Sequence, residues 1–250
     1  MRLKPNIPSH FSHWHNPEPH PHSERLTATC ALSIIGGFLD IYSYLYRGKV
    51  FANAVTGNMV LFGFSLATRD WHHSAKYFLA IFFYALGIFT AELIHWKFTM
   101  LRSVTWHQTI ILIEALCLLP ISFLPFGEWD FIANAVITFV CALQVQTFRK
   151  VRGLPFASTM CTGNLRSGTA ALFVSVREKD TSEFHKALHY FLVIGCFIVG
   201  AILGAVLLPY FGPKIFLLAP AGLLSVFLVL SPRWLAAIRK TFRKKKKRNY

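Results

Sequence analysis

The sequence predicts an all-α, polytopic helical membrane protein built from two homologous halves. Three observations carry this prediction. Of 250 residues, 54% are hydrophobic, only 15% are charged and 24 are phenylalanine, and the mean hydropathy is +0.45, too apolar for an ordinary soluble domain. The apolar residues fall into eight stretches, each close to the ~20 residues a helix needs to cross ~30 Å of hydrocarbon. The third is a copy. Phe51-Ala52-Asn53-Ala54-Val55-Thr56-Gly57-Asn58 returns as Phe156-Ala157-Ser158-Thr159-Met160-Cys161-Thr162-Gly163-Asn164, with one extra residue between Phe-Ala and Thr-Gly-Asn.

The net charge of +15 would suggest nucleic acid in a soluble chain, but nine of the 26 Lys and Arg fall between Arg233 and Arg248. A basic run beside a membrane segment suits anionic lipid on the cytoplasmic side, so lipid is the expected partner and nucleic acid is not. The five cysteines stand in apolar stretches without Cys-x-x-Cys spacing and read as reduced packing residues. Residues 1–25 mix His and Pro where a signal peptide needs an apolar core. They are expected to form a mobile tail with at most incidental metal affinity.

The elements follow in order. Leu26 opens a span to Tyr46 that holds Gly36-Gly37 and Asp40, and the basic turn Arg47-Gly48-Lys49 leads into the first Thr-Gly-Asn segment, residues 50–68. Asp40 and Thr56 each lie six or seven residues from that turn, about 10 Å deep if both flanks are helical, so they are placed to face each other. Spans over residues 75–98 and 108–126 carry Glu92 and Glu114 at similar expected depth. Gly127 and Glu128 close the first repeat, residues 26–128. The second, residues 129–232, repeats the plan, with a span to Phe148, a basic turn, the second Thr-Gly-Asn segment and spans over 187–210 and 214–231. Gly200 and Gly204 form Gly-x-x-x-Gly, which permits close helix approach and leaves a homo-oligomer open. Residues 233–250 are the basic tail.

Charge asymmetry bears on the crossing number. With eight full crossings the loop charges outside the C-terminal tail split evenly. If both Thr-Gly-Asn segments enter and return, six helices cross, and only Arg47, Lys49, Arg69, Lys76 and Lys214 remain outside. The positive-inside rule favours six, which makes the halves inverted copies, although each segment is long enough to cross. Six to eight membrane segments are therefore expected.

These residues resemble the YoaK-type bacterial multi-pass membrane proteins, grouped as a domain of unknown function. The resemblance rests on Gly36-Gly37-Phe38-Leu39-Asp40, Gly48-x-x-Phe51, Thr56-Gly57-Asn58, Gln144 and Thr162-Gly163-Asn164. It implies a bacterial inner membrane and no defined activity. Where that family resembles Gly-x-Gln-Asn-Ala, this chain has Ala142-Leu143-Gln144-Val145-Gln146, so the resemblance does not imply a symmetric role for the two halves.

An acid inside a membrane segment is costly and normally faces a cavity or partner, which puts Asp40 first among candidate site residues. Thr56, Asn58, Thr162 and Asn164 suit the ends of half-helices whose free backbone groups bind an ion or carboxylate; helix-to-helix hydrogen bonding accounts for them equally well. Gln144 joins the set through the resemblance, and Arg166 offers a positive charge. Glu92 and Glu114 are candidates for proton coupling. His185 and His189 stand i,i+4 without the Glu of a zinc hydrolase. No enzyme signature, cofactor or metal site is expected. The expected function is a small secondary transporter or channel for an unknown solute or ion, with a non-transporting assembly or lipid-binding protein as the alternative.

Overall fold

The computed structural model describes residues 26–99, 106–151, 154–156 and 159–230; both terminal tails, with the lipid and metal expectations attached to them, lie outside the described residues. Eight α-helices account for nearly all of it: α1 Leu26–Tyr46, α2 Val55–Ala67, α3 Trp71–Thr99, α4 Trp106–Ile121, α5 Asp130–Thr147, α6 Cys161–Glu178, α7 Thr181–Phe211 and α8 Leu218–Leu230. A two-residue antiparallel ladder, β1 Lys150–Val151 with β2 Leu154–Pro155, stands before α6, and a 3-10 turn, Gly212–Leu217, joins α7 to α8. By length and composition four segments qualify as membrane spans: Leu26–Tyr46, Trp71–Lys97, Asp130–Thr147 and Thr181–Leu230, the last containing both α7 and α8. The chain is thus built as an integral membrane protein.

Helix α1 is buried on nearly every side, as is α5. An all-round apolar helix belongs at the centre of a bundle, and these two form its core. The outer helices α3 and α7 turn Phe78, Phe82, Phe89, Ile198 and Ile202 outward, which suits lipid and would not suit water. Helix α1 packs chiefly on α7, and α5 on α3; α2 lies on α3, α6 on α7, and α4 on α8.

The two main contacts depend on small residues. A Cβ on Gly200 would overlap the Ile34 carbonyl, and one on Gly37 the Phe197 carbonyl. Gly204 meets Phe38 and Ile41, so α1 and α7 run in parallel and the Gly-x-x-x-Gly pair serves a contact inside the chain. On the other side a Cβ on Gly87 would stand 2.5 Å from the Phe139 carbonyl and 2.7 Å from the Ala142 methyl. Two backbones in van der Waals contact maximise dispersion where no hydrophobic drive exists between helices in lipid.

The Thr-Gly-Asn segments differ from a simple mid-helix break. The tripeptide sits in the first turn of α2 and of α6, and the unwound leg comes before it. Residues 50–54 run back along α1 without helix. The Asn58 side chain then brackets Phe51, accepting from its amide at 3.0 Å and donating to its carbonyl at 2.7 Å. Val50 packs with Leu61 and Phe62. A chain continuing in one direction would hold Phe51 and Asn58 well over 10 Å apart, so it reverses between them. In the second half Phe156 stacks on Tyr190 at 5.1 Å, and a Cβ on Gly168 would stand 3.0 Å from the same Tyr190. There too the leg and the helix lie side by side.

Candidate functional site

The legs meet at Gly36. The Asn53 side-chain amide donates to the Gly36 carbonyl at 3.0 Å, and the γ-methyl of Thr159, from the other leg, fills the space a Gly36 Cβ would need. Residues more than a hundred positions apart converge on one glycine in the middle of α1. Only a residue without a side chain admits both.

Asp40 stands one turn further along α1 and ties the first leg down. Its carboxylate accepts from the Asn53 amide at 2.8 Å and faces the neighbouring Ala52 and Ala54 amides. These amides have no helical partner because the leg is unwound, so the acid supplies the acceptors that a buried backbone requires. The sequence pointed Asp40 at Thr56; the structure joins it to Asn53, and Thr56 is exposed.

The other expected residues are spread out. Asn58 is buried in its bracket around Phe51, and Asn164 is buried at the matching place in α6, with Thr162 and Arg166 exposed beside it. Gln144 donates from α5 to the Leu32 carbonyl of α1 at 3.2 Å, which joins the two central helices. Glu92 is about half exposed and bonds Gln146, with Arg149 at 3.5 Å. Glu114 is fully buried, and neither of its oxygens has a hydrogen-bond partner among the described residues.

Three residues matter here that the sequence did not single out. Asn53 and Thr159 are more than nine-tenths buried, and Asn53 Oδ1 and Thr159 Oγ1 have no partner among the described residues. Their signal was position, since both lie in the copied stretch just before Thr-Gly-Asn. By sequence Arg47 belongs to a basic turn outside the membrane. It is fully buried: its guanidinium donates to the Tyr42 hydroxyl, the Pro125 and Leu124 carbonyls and Asp130 at 2.7 to 3.0 Å, and it lies over the Phe126 ring at 4.6 Å. It clasps the end of α1 to the α4–α5 connection.

A family profile described as "Protein of unknown function (DUF1275)" matches residues 28–230, which includes every described helix except the first two residues of α1. The chain belongs to the DUF1275 family. No curated protein and no solved structure matches it. The match agrees with the resemblance read from Gly36-Gly37-x-x-Asp40 and the paired Thr-Gly-Asn motifs. In this DUF1275 protein those motifs lie where two backbone reversals meet.

Proposed function

We propose that this DUF1275 protein conducts a small solute across the bacterial inner membrane, as a secondary transporter or channel, along a route through the meeting place of its two legs. The observation that carries the reading is the convergence of Asn53 and Thr159 on Gly36. Non-helical backbone at membrane depth is tolerated only where protein or water shields it, and paired interruptions in two halves point to a binding site at their interface. Asp40, Asn58, Gln144 and Asn164 support that site, and Thr56, Thr162 and Arg166 stand on the exposed flanks of the half-helices leading from it.

The accompanying topology has six crossings, α1, α3, α4, α5, α7 and α8, with α2 and α6 entering and returning. The unwound legs before α2 and α6 set these two helices apart from the six crossings; length does not, since α2 and α8 have 13 residues each. Exchange of helices 1–4 with 5–8 leaves the packing scheme unchanged: α1 on α7 becomes α5 on α3, and α2 on α3 becomes α6 on α7. Local details recur as well. Arg69 and Lys179 both end a half-helix with positive φ, and Asp70 and Asp180 each accept from an amide of the next helix. Tyr77-Phe78-Leu79 and Tyr190-Phe191-Leu192 repeat around the tyrosines that face the legs. Three crossings per half make the copies inverted. With Arg47, Lys49 and Arg69 outside, both termini are cytoplasmic and the basic tail meets anionic lipid.

Osmotic and tracer flux into proteoliposomes tests the function. Gly36→Leu, which drives a side chain between the legs, is expected to abolish a flux that the wild type sustains; equal flux in both would remove the meeting place from the route. One observation favours a non-transporting assembly or lipid-binding role: Gly36 and Thr159 are in direct apolar contact, as a purely structural junction would be. Absence of flux for every solute and ion tried would favour that reading.

A further inference from the structure

We propose that the meeting place selects small neutral polar solutes over ions, with Asp40 as the fixed charge that balances two helix N-termini. The inference rests on the conduction reading above and names its substrate class.

Both half-helices begin at this point. Helix α2 starts at Val55, two residues after Asn53, and α6 starts at Cys161, two residues after Thr159; Asn53 and Thr159 both touch Gly36. Neither helix start carries a side-chain cap of its own. A helix N-terminus acts as roughly +0.5 elementary charge, so two together present about +1. Alone, that would draw anions and repel cations, as half-helix dipoles do in selective pores. Asp40 lies against the start of the first, its carboxylate bonded to the Asn53 amide. One negative charge against about +1 leaves the site close to neutral.

What remains to greet a solute is polar and uncharged. Asn53 Oδ1 can only accept, and Thr159 Oγ1 donates or accepts; both are buried and without a partner among the described residues. A solute bearing both donors and acceptors satisfies them together. A bare cation finds two unpartnered side-chain oxygens, with Asp40 Oδ1 and the Gly36 carbonyl already accepting from Asn53, where a hard ion takes six or more. An anion finds one hydroxyl and one uncapped helix start, the other being occupied by Asp40. Arg166 lies five residues into α6, about 7.5 Å from its start, and adds to that uncapped start a charge that favours an anion.

The full chain is reconstituted in liposomes, glycerol and urea entry is followed by stopped-flow light scattering, and chloride and potassium release by ion electrodes. The wild type is expected to speed glycerol or urea entry at least about tenfold over empty liposomes, with no added chloride or potassium release. Asp40→Asn leaves the helix N-termini unbalanced and is expected to raise chloride release roughly 15-fold, the factor one uncompensated charge exerts at ~10 Å in an effective dielectric of ~20. Thr159→Val keeps the shape and removes the hydroxyl, so it should slow the neutral solute without opening an ion path. It covers the case in which Asp40→Asn does not assemble, judged by gel filtration in detergent. Wild-type chloride or potassium release exceeding neutral-solute entry overturns the charge balance while leaving conduction intact. No movement of any species overturns conduction, and the selectivity with it.

Discussion

A methyl group on Gly36 would strike Thr159, and one on Gly200 would strike the Ile34 carbonyl. The two collisions have different consequences. Thr159 meets the added methyl with a side-chain γ-methyl, which can yield more readily than backbone, so Gly36→Ala is expected to disturb the contact between the legs and depress flux with little loss of stability. The Ile34 carbonyl belongs to a central helix that cannot yield, so Gly200→Ala is expected to cost about 1–3 kcal/mol by overpacking, read as a lowered unfolding midpoint in detergent. Arg47 is the third sensitive point. Arg47→Met leaves Asp130 and several carbonyls without their donor, and breaking a buried charged cluster from one side costs about 3–5 kcal/mol; with Asp130 one-fifth exposed, the lower end applies. In a double-mutant cycle with Asp130→Asn, additive losses would show that the carbonyls and not the ion pair hold Arg47.

At the scale of the element, the leg and its half-helix form one unit because Asn58 satisfies both backbone groups of Phe51. Asn58→Leu removes both bonds at similar volume and is expected to cost about 2 kcal/mol or more, since each buried backbone group left unpaired costs ~1–3 kcal/mol. Amide hydrogen exchange at Phe51 should quicken in that variant and stay slow at Leu39 in α1. A smaller effect belongs to the start of α3. The His73 backbone amide, together with its ring, holds the Asp70 carboxyl below its ordinary value. A carboxyl depressed in the folded state contributes stability above its unfolded pKa of ~3.9 and loses it as the pH falls through the folded value. Asp70→Asn should therefore flatten the acid side of the stability profile and leave the neutral side lower by a constant amount.

For the whole molecule, the decisive question is which surface each connection reaches. With six crossings, Thr68 and Glu128 lie on one side of the membrane and Glu178 on the other; with eight, all three share a side. Single cysteines at these positions, in a chain whose five native cysteines are replaced, are expected to react with an impermeant maleimide from opposite faces in the six-crossing pattern. Labelling of all three from one face would end the inverted-repeat reading. Helices α1 and α5 stand at the centre of the bundle, each largely buried.

The elements were legible in the sequence because each rests on local information. The largely apolar stretch from Leu26 to Tyr46 makes a helix of the expected bounds and Asp130 opens α5 at the start of the second expected repeat, whereas Thr181 opens α7 well before the expected position 187. The copied stretch marked the interruptions, although it placed them on Thr-Gly-Asn and not on the leg before it, since helix propensity says that Gly and Asn are weak without saying where the chain turns. What only the tertiary structure decided is partnership. Asp40 bonds Asn53 and not Thr56, Arg47 is buried against the α4–α5 connection, and Asn53 and Thr159 share Gly36, because each contact joins residues whose distance in space is set by helices packing across the bundle. By itself the sequence determined a membrane-embedded, helical chain with two matching interruptions, through hydropathy and repetition. Packing decided that those interruptions meet, because only backbones pressed together at Gly37, Gly87 and Gly200 bring the legs of opposite halves to one point.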